Sequence, residues 1–182
     1  MTFSELMEKR RSVKVYAQRP VEAAKIAAII EAALRSPSGR ATRPWEFVVV
    51  TDKTLLEKLS VAKPEGAAFV KDAPVAVVVC GDPTASGIWV EDCSIAAVTM
   101  QYAAHALGLG TRWSQMKGNN FKEGTTSTQY IAKLLGLPEN LTVQCIIALG
   151  YASEEMVPYK KAELRFDKVS YNHYGQKRPD HD

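Results

Sequence analysis

The chain alternates between segments with helical periodicity and short runs that are almost wholly apolar. In 21–34 the residues Ile26, Ile29, Ile30, Ala33 and Leu34 recur near one face, which predicts a helix that begins after Pro20. The turn sequence Ser36-Pro37-Ser38-Gly39 ends it. Further helices are predicted over 2–9, 53–59, 88–107 and 128–135.

Two short runs have the composition of buried strands. Residues 47–51 read Phe-Val-Val-Val-Thr and residues 75–80 read Val-Ala-Val-Val-Val-Cys. Continuous β-branched runs are typical of strands that are covered on both faces, so helices are expected on both sides of a sheet. Shorter strands are predicted over 111–116 and 141–149, with a polar loop before Ser127.

The helix predicted over 88–107 is small and apolar around much of its circumference, more than a helix with one wet side requires. Glu91 and Asp92 lie in its early turns, where negative charge favours the helix dipole. We therefore expect this helix to be central or to lie in an oligomer interface. The polar, irregular segment that follows Tyr151 is expected to wrap a neighbouring subunit rather than to fold alone.

Composition narrows the function classes. A chain of 182 residues can bury one substantial core, and the formal net charge is only +3, with acids and bases mixed. This argues against a nucleic-acid-binding tail or a membrane-binding patch. No apolar run approaches a membrane span, and the first eleven residues are too charged for a signal peptide, so we expect a cytoplasmic protein. The three cysteines, with no paired motif, are expected to be buried and reduced.

Two basic, hydroxyl-rich segments carry the candidate chemistry. The first, Arg10-Arg11-Ser12-Val13-Lys14, is called the basic cluster here; the second is Ser36-Pro37-Ser38-Gly39-Arg40. Each combines cations, hydroxyls and backbone amides that suit a phosphate. Taken alone, the first could be a solvated charge cluster and the second an ordinary turn. The second segment, however, runs on into Pro44-Trp45 and an apolar strand.

In this order, these segments resemble the small, single-domain members of the FMN-binding nitroreductase family. Later stretches are similar to the family as well: 91–97, 106–113, 135–139, 148–151 and 171–175. The resemblance implies an α+β fold, an α/β/α sandwich with a mixed, mostly antiparallel central sheet. It also implies one FMN-binding domain over 1–182. Its C-terminal arm, residues 152–182, would be swapped onto a partner subunit.

The resemblance also implies the cofactor-binding residues. Arg10 and Ser12, with Arg11 beside them, match positions that hold the FMN phosphate and ribityl chain, and Lys14 matches a cation near the N1 and C2 carbonyl of the ring. A loop that comes from the second subunit in the family matches Pro37, Ser38, Gly39 and Arg40. The strand whose backbone amide hydrogen-bonds flavin N5 matches Trp113, Ser114 and Gln115. The phosphate end of the site matches Gly150, Tyr151, Lys160 and Lys161.

Three positions depart from the family pattern. Ala41 stands where asparagine is common, Arg43 where glutamine is frequent, and Gly66 has no side chain where other members place a polar group near the ring. The histidines form no metal motif, and Gly108-Leu109-Gly110 is an incomplete dinucleotide fingerprint. No hydrolase constellation is present.

The resulting hypothesis is a homodimeric FMN oxidoreductase. NADH or NADPH would reduce the flavin at N5 and leave, and a nitroaromatic, quinone or similar small acceptor would follow by a ping-pong route. No side chain needs to act as acid or nucleophile; Lys14 and Arg40 would support the flavin electrostatically. Two alternatives stay open from the sequence: a non-enzymatic flavin carrier or sensor on the same fold, and a phosphate-binding module without flavin.

Overall fold

Four antiparallel strands form the central sheet of the structure, a computed structural model that describes residues 2–177. Their order across the sheet is first, second, last, third. The strands are β1 (Trp45–Val50), β2 (Val75–Gly81), β3 (Gly110–Gln115) and β6 (Thr142–Gly150). β2 and β6 therefore lie at the centre, and β1 and β3 form the edges.

The described residues form five α-helices. They are α1 (Phe3–Lys9), α2 (Ala23–Leu34), α3 (Lys53–Ser60), α4 (Trp89–Ala106) and α5 (Ser127–Leu135). Four of them cover the two faces of this sheet, and α1, which has no buried residue, lies against α4. α2 and α4 pack on one face, while α3 and α5 pack on the other with the 3-10 helix Ala68–Asp72. The expected α/β/α sandwich is confirmed.

The two central strands divide their side chains between two hydrophobic cores. Val78 and Ile146 contribute to the core under α3 and α5. Their neighbours Val77 and Ile147 contribute to the core under α2 and α4. Every residue of β2 is buried, because successive side chains of a strand point to opposite faces and both faces are covered. The apolar run over 75–80 correctly indicated this. The run over 47–51 was predicted to be covered on both faces as well, but β1 is an edge strand and its Val49 is exposed.

Short-range signals set most helix ends. Thr126 caps the start of α5, and its hydroxyl accepts the amide hydrogen of Gln129 while the Gln129 side chain accepts from the Thr126 amide. Gly136 ends the helix in the left-handed conformation at φ 67°. Asp52 caps α3 through the amide of Leu55.

The predicted polar loop before Ser127 was only partly right. It contains a two-stranded hairpin, β4 (Asn120–Lys122) and β5 (Thr125–Thr126). Gly124 makes the turn possible at φ 71°, a conformation that glycine adopts without steric cost. Phe121 stacks on Tyr130 of α5 with 4.0 Å between ring centroids, a contact that packs the hairpin against α5.

The arm has no α-helix or strand over the part that the structure describes, 152–177, apart from an isolated bridge between Ala152 and Tyr16. Two 3-10 turns, Lys161–Glu163 and Phe166–Lys168, interrupt an otherwise irregular path. Its large apolar side chains are exposed in the single chain: Val157, Tyr159, Leu164, Phe166, Val169, Tyr171 and Tyr174. The predicted swap onto a partner stays a prediction, and residues 178–182 of the predicted arm lie outside the described part.

The cysteines agree with the expectation of reduced, buried thiols. Cys80, Cys93 and Cys145 are all free and buried. Burial raises the pKa of the Cys80 and Cys93 thiols to about 12 and that of Cys145 well above its ordinary value, which disfavours the reactive thiolate. Within 2–177, none of the helices combines the length and apolarity that crossing a bilayer requires.

Candidate functional site

The basic cluster leaves α1 and runs along the open edge of β3. The amide of Val13 donates to the carbonyl oxygen of Thr111 at 3.0 Å, and Ser12 forms a bridge with the same residue. Val13 is buried against Gly110, where a Cβ would lie 2.0 Å from Val13 Cγ2. One buried valine therefore anchors the segment, and the flanking Ser12 and Lys14 side chains stay exposed.

The polar members of the basic cluster share one cavity of about 480 Å3. Its other wall is the first part of the arm, 154–159. Arg11 stacks its guanidinium on the ring of Tyr159, 3.6 Å from the centroid, and its Nε is buried without a hydrogen-bond partner among the described residues. The cavity is lined by Arg10, Arg11, Ser12, Lys14, Glu154, Glu155, Met156, Val157 and Tyr159.

An unpartnered buried donor beside further cations suits an anion, since the ligand would supply the missing acceptor. Lys161 lines a neighbouring cavity with Arg10 and Arg11, and its assignment to the phosphate end stays a prediction. Lys160 is exposed, and its backbone amide bonds the Glu163 carboxylate. Sequence reasoning missed Tyr159, which only its position in the arm brings to Arg11.

The predicted ring-binding strand lies next to the basic cluster. Thr111 directs its carbonyl to the open edge of β3, and alternate residues of a strand share that direction, so Trp113 also presents its backbone groups there. The Trp113 indole donates to Gln115 Oε1 at 3.1 Å. Ser114 is buried, and its hydroxyl donates to the carbonyl oxygen of Gly66 at 2.7 Å. The strand is thus tied to Gly66 through Ser114.

Gly150 and Tyr151 have contacts of their own. Gly150 pairs with Gly110 in the ladder, and a Cβ on it would meet the Pro74 ring at 2.6 Å. The Tyr151 hydroxyl donates to Glu22 and accepts from Lys25 at 2.9 Å. The hydrogen bond from the Tyr151 hydroxyl lowers the pKa of the Glu22 carboxyl to about 2. The Tyr151 side chain therefore faces α2, and its role towards a phosphate stays a prediction.

The second predicted segment forms a tight loop after α2. Its backbone departs from ordinary angles at three residues that are not glycine: Arg40 at φ 51°, Ala41 at 57° and Arg43 at 48°. Each left-handed residue of this kind costs about 1 to 2 kcal/mol. Ser38 Oγ accepts the amide hydrogen of Arg43 at 2.9 Å and closes the loop. We call residues 36–43 the 36–43 loop.

The loop explains the departures from the family pattern in part. Asparagine tolerates the left-handed region better than alanine, so Ala41 leaves a strained position unrelieved. Arg40 and Arg43 are exposed, and neither forms an ion pair with any residue in the described 2–177. The loop therefore presents two guanidinium groups on a fixed backbone.

Helix α4 separates the two basic segments within one chain. Its first turn holds the 36–43 loop, because Asp92 accepts the Gly39 amide hydrogen at 2.8 Å. Its last turn carries His105, whose pKa is lowered by burial and by the neighbouring Arg10 and Lys9 charges. Asp92 and His105 are about 20 Å apart along the axis at 1.5 Å per residue. A single chain does not bring the two segments together.

Most of the chain is similar to known proteins. Residues 7–151 match the sequence model of the Nitroreductase family. A protein of Methanothermobacter thermautotrophicus, provisionally named NADH dehydrogenase/NAD(P)H nitroreductase, is 39% identical over 157 residues, 85% of this chain and 79% of its own length. A protein of Archaeoglobus fulgidus with the same provisional name is 36% identical over 162 residues, 87% of this chain and 89% of its own length.

Solved structures agree with the sequence relatives. The structure of an FMN-dependent nitroreductase from Clostridium difficile superposes with a TM-score of 0.91 at 39% sequence identity. The match covers 93% of this chain and 98% of that one. The strands, the covering helices and the resemblance read from the sequence therefore all lead to one fold family.

Proposed function

Because the chain belongs to the nitroreductase family, we propose that it is an FMN-dependent oxidoreductase. It would take electrons from NADH or NADPH and pass them to a small electron acceptor. The related proteins named for NAD(P)H and for FMN support this assignment, and so does the chemistry of the cavity at the basic cluster.

The observation that carries the proposal is the buried Nε of Arg11, which has no hydrogen-bond partner among residues 2–177. It lies at a cavity that Ser12 also lines and whose three cations, Arg10, Arg11 and Lys14, outnumber its two carboxylates, Glu154 and Glu155. Guanidinium groups and a hydroxyl fit the phosphate of FMN, which would accept several charge-assisted hydrogen bonds at once. Lys161, in the adjacent cavity, would add a further cation.

When bound, FMN would supply the redox chemistry, taking hydride from the nicotinamide and reducing a nitroaromatic, a quinone or a similar acceptor that binds in its turn. The chain's own residues would bind and orient it. Lys14 is exposed at the cavity and would place a positive charge where negative charge develops, which stabilises that charge. Trp113 would offer backbone groups at the open edge of β3.

A homodimer with shared sites follows from the position of the two basic segments. Since α4 keeps the 36–43 loop and the basic cluster apart in one chain, the loop of one subunit would complete the site of the other. α4 and the residue that precedes it also leave apolar side chains exposed, Ile88 at 50%, Ile95 at 41% and Val98 at 43%. A second subunit and its arm would cover them.

The visible absorption spectrum tests the cofactor assignment. Purified protein is incubated with FMN, freed of excess, and mixed with NADH or NADPH without oxygen. Retained yellow colour that bleaches, followed by steady NAD(P)H oxidation with an added acceptor, is the expected result. Retained colour with one slow reduction at most would favour a flavin carrier. A protein that retains no FMN would contradict the proposal and leave the phosphate-binding module.

Light scattering during size-exclusion chromatography tests the dimer. The expected mass is twice that of one chain, about 40 kDa from 20.0 kDa each. A monomeric mass with flavin bound would overturn the shared site, and the assignment of Ser38 and Arg40 to the second subunit would fall with it.

A further inference from the structure

Asp92 is a buried carboxylate whose two oxygens both bind groups outside its own helix. It is 1% exposed. Its Oδ1 accepts the Gly39 amide hydrogen at 2.8 Å, and its Oδ2 accepts from the Ser86 hydroxyl at 3.1 Å. Ser86 is itself buried and also accepts from the Ile88 amide at 3.3 Å. A charge is kept inside a protein only where such partners compensate its lost hydration.

Position in the first turn of α4 accounts for only part of this arrangement. Glu91 occupies the same turn and favours the helix dipole equally, yet its side chain is exposed. Asp92 instead points under the 36–43 loop. Gly39 packs so closely there that a Cβ would lie 2.4 Å from the end of the Ile88 side chain. The loop is thus held from below by one carboxylate.

The loop needs such support because its backbone is strained next to that bond. Arg40 and Ala41, which follow Gly39 directly, and Arg43 all adopt left-handed angles. Conformations of this kind persist only where surrounding contacts impose them, and they concentrate at binding sites. The Gly39 amide is the point at which the protein interior grips the loop.

We propose that Asp92 is a positioning residue for the cofactor site, holding the 36–43 loop in the shape in which Ser38 and Arg40 reach a flavin bound by the partner subunit. This inference rests on the proposed function. Asp92 itself lies beneath the loop and acts through Gly39 rather than by touching the ligand.

Flavin titration of single variants is the first test, with FMN as the probe and wild-type protein measured beforehand. Asp92→Ala removes a charge-assisted hydrogen bond, so the loop populates its binding shape less and the Kd for FMN should rise about tenfold or more. Glu91→Ala, the matched control in the same turn, should leave the Kd unchanged. If wild-type protein binds no FMN, the proposed function fails. If wild-type protein binds FMN and Asp92→Ala binds it with the same Kd, Asp92 is not a positioning residue.

The conservative variant separates positioning from charge. In Asp92→Asn the amide oxygen can still accept from Gly39, and the amide nitrogen can donate to Ser86 Oγ. Its Kd should return to within about threefold of wild type. A Kd as weak as that of Asp92→Ala would overturn the proposal, because the effect would then belong to the lost charge rather than to the bond that holds the loop.

Mixed dimers give a readout that a general loss of stability would not produce. Differently tagged Arg10→Ala and Asp92→Ala chains are coexpressed and the mixed dimer is isolated. One site then joins both defects, while the other joins a wild-type basic cluster to a wild-type loop. The expected result is one FMN per dimer at wild-type Kd. A mixed dimer without a wild-type site would overturn the proposal.

If Asp92→Ala does not fold, the Kd for FMN is measured on Ser86→Ala instead. It removes one of the two bonds that orient the carboxylate and leaves the Gly39 contact in place. The expected rise in Kd is about threefold, and an unchanged Kd would count against Asp92 as the residue that sets the loop.

Discussion

The two ends of helix α4 support the candidate site in different ways. At the first turn, the 36–43 loop is fixed by the hydrogen bond from the Gly39 amide to the buried Asp92 carboxylate, which the Ser86 hydroxyl also orients. At the last turn, the basic cluster is anchored by one buried valine, and its cations have aromatic partners: Arg10 lies near Tyr102 and Arg11 on Tyr159.

This difference separates shape from charge. The loop already has its conformation in the single chain and is held there at a cost in backbone strain. In the basic cluster, by contrast, the buried Nε of Arg11 has no hydrogen-bond acceptor among residues 2–177. Ligand binding should therefore change the electrostatics of the basic cluster more than the conformation of the loop.

The largest effect is expected from removing a phosphate cation. Arg10→Ala should weaken FMN binding by about 1.5 to 3 kcal/mol, or about 10- to 150-fold in Kd, because a charge-assisted hydrogen bond is lost. Flavin titration measures it. Lys58→Ala, an exposed cation on α3 across the sheet, is the control with the same change of charge. Equal affinity for Arg10→Ala and wild type would show that the basic cluster does not hold the phosphate.

The anchor of the basic cluster should be nearly as sensitive. Gly110→Ala forces a methyl group into Val13, 2.0 Å from Cγ2, and should lower the free energy of unfolding by about 1 to 3 kcal/mol. It should also weaken FMN binding, since Val13 positions Ser12. Chemical denaturation measures the stability. Gly87→Ala has no atom within 4 Å of the new methyl group and should be neutral; similar losses for both variants would exclude the packing explanation.

Relieving backbone strain in the 36–43 loop should increase the stability of the protein. Ala41→Asn places a residue that tolerates the left-handed region at φ 57°, so the free energy of unfolding should rise by up to about 1 kcal/mol. Ala41→Val should lower it, because a branched side chain is least tolerated there. Denaturation curves of the three proteins check the order. A stabilising valine would mean that the loop is not left-handed at this position.

The smallest effect is a change in titration at the basic end. Burial and the Arg10 and Lys9 charges lower the pKa of His105, so neutral His105 stabilises the fold above pH about 6.5 and this contribution is lost as the pH falls. A bound phosphate adds negative charge nearby and should raise the pKa of His105. NMR titration with and without FMN measures the shift. A further fall on binding would place the phosphate elsewhere.

Sequence patterns predicted the layers of the fold well because both faces of the sheet are covered. Continuous apolar runs identified β1 and β2, the shorter strand predicted over 141–149 became β6, and the alanine-rich helix became α4. The hairpin of β4 and β5 was missed, since its strands are polar and its stability depends on Phe121 meeting Tyr130. A contact between two separate elements, such as this one, leaves no helical or alternating pattern of apolar residues in the sequence.

The sequence by itself determined the fold family, the basic cluster and the existence of a second basic loop, because each is encoded in neighbouring residues. Tertiary structure alone decided that α4 keeps those segments apart, that Tyr159 stacks on Arg11, and that Asp92 supports Gly39. In the sequence Asp92 is indistinguishable from Glu91 as a helix-dipole residue. Their difference arises from burial. Asp92 is buried and therefore needs the Gly39 amide and the Ser86 hydroxyl as hydrogen-bond partners, whereas Glu91 is exposed to water.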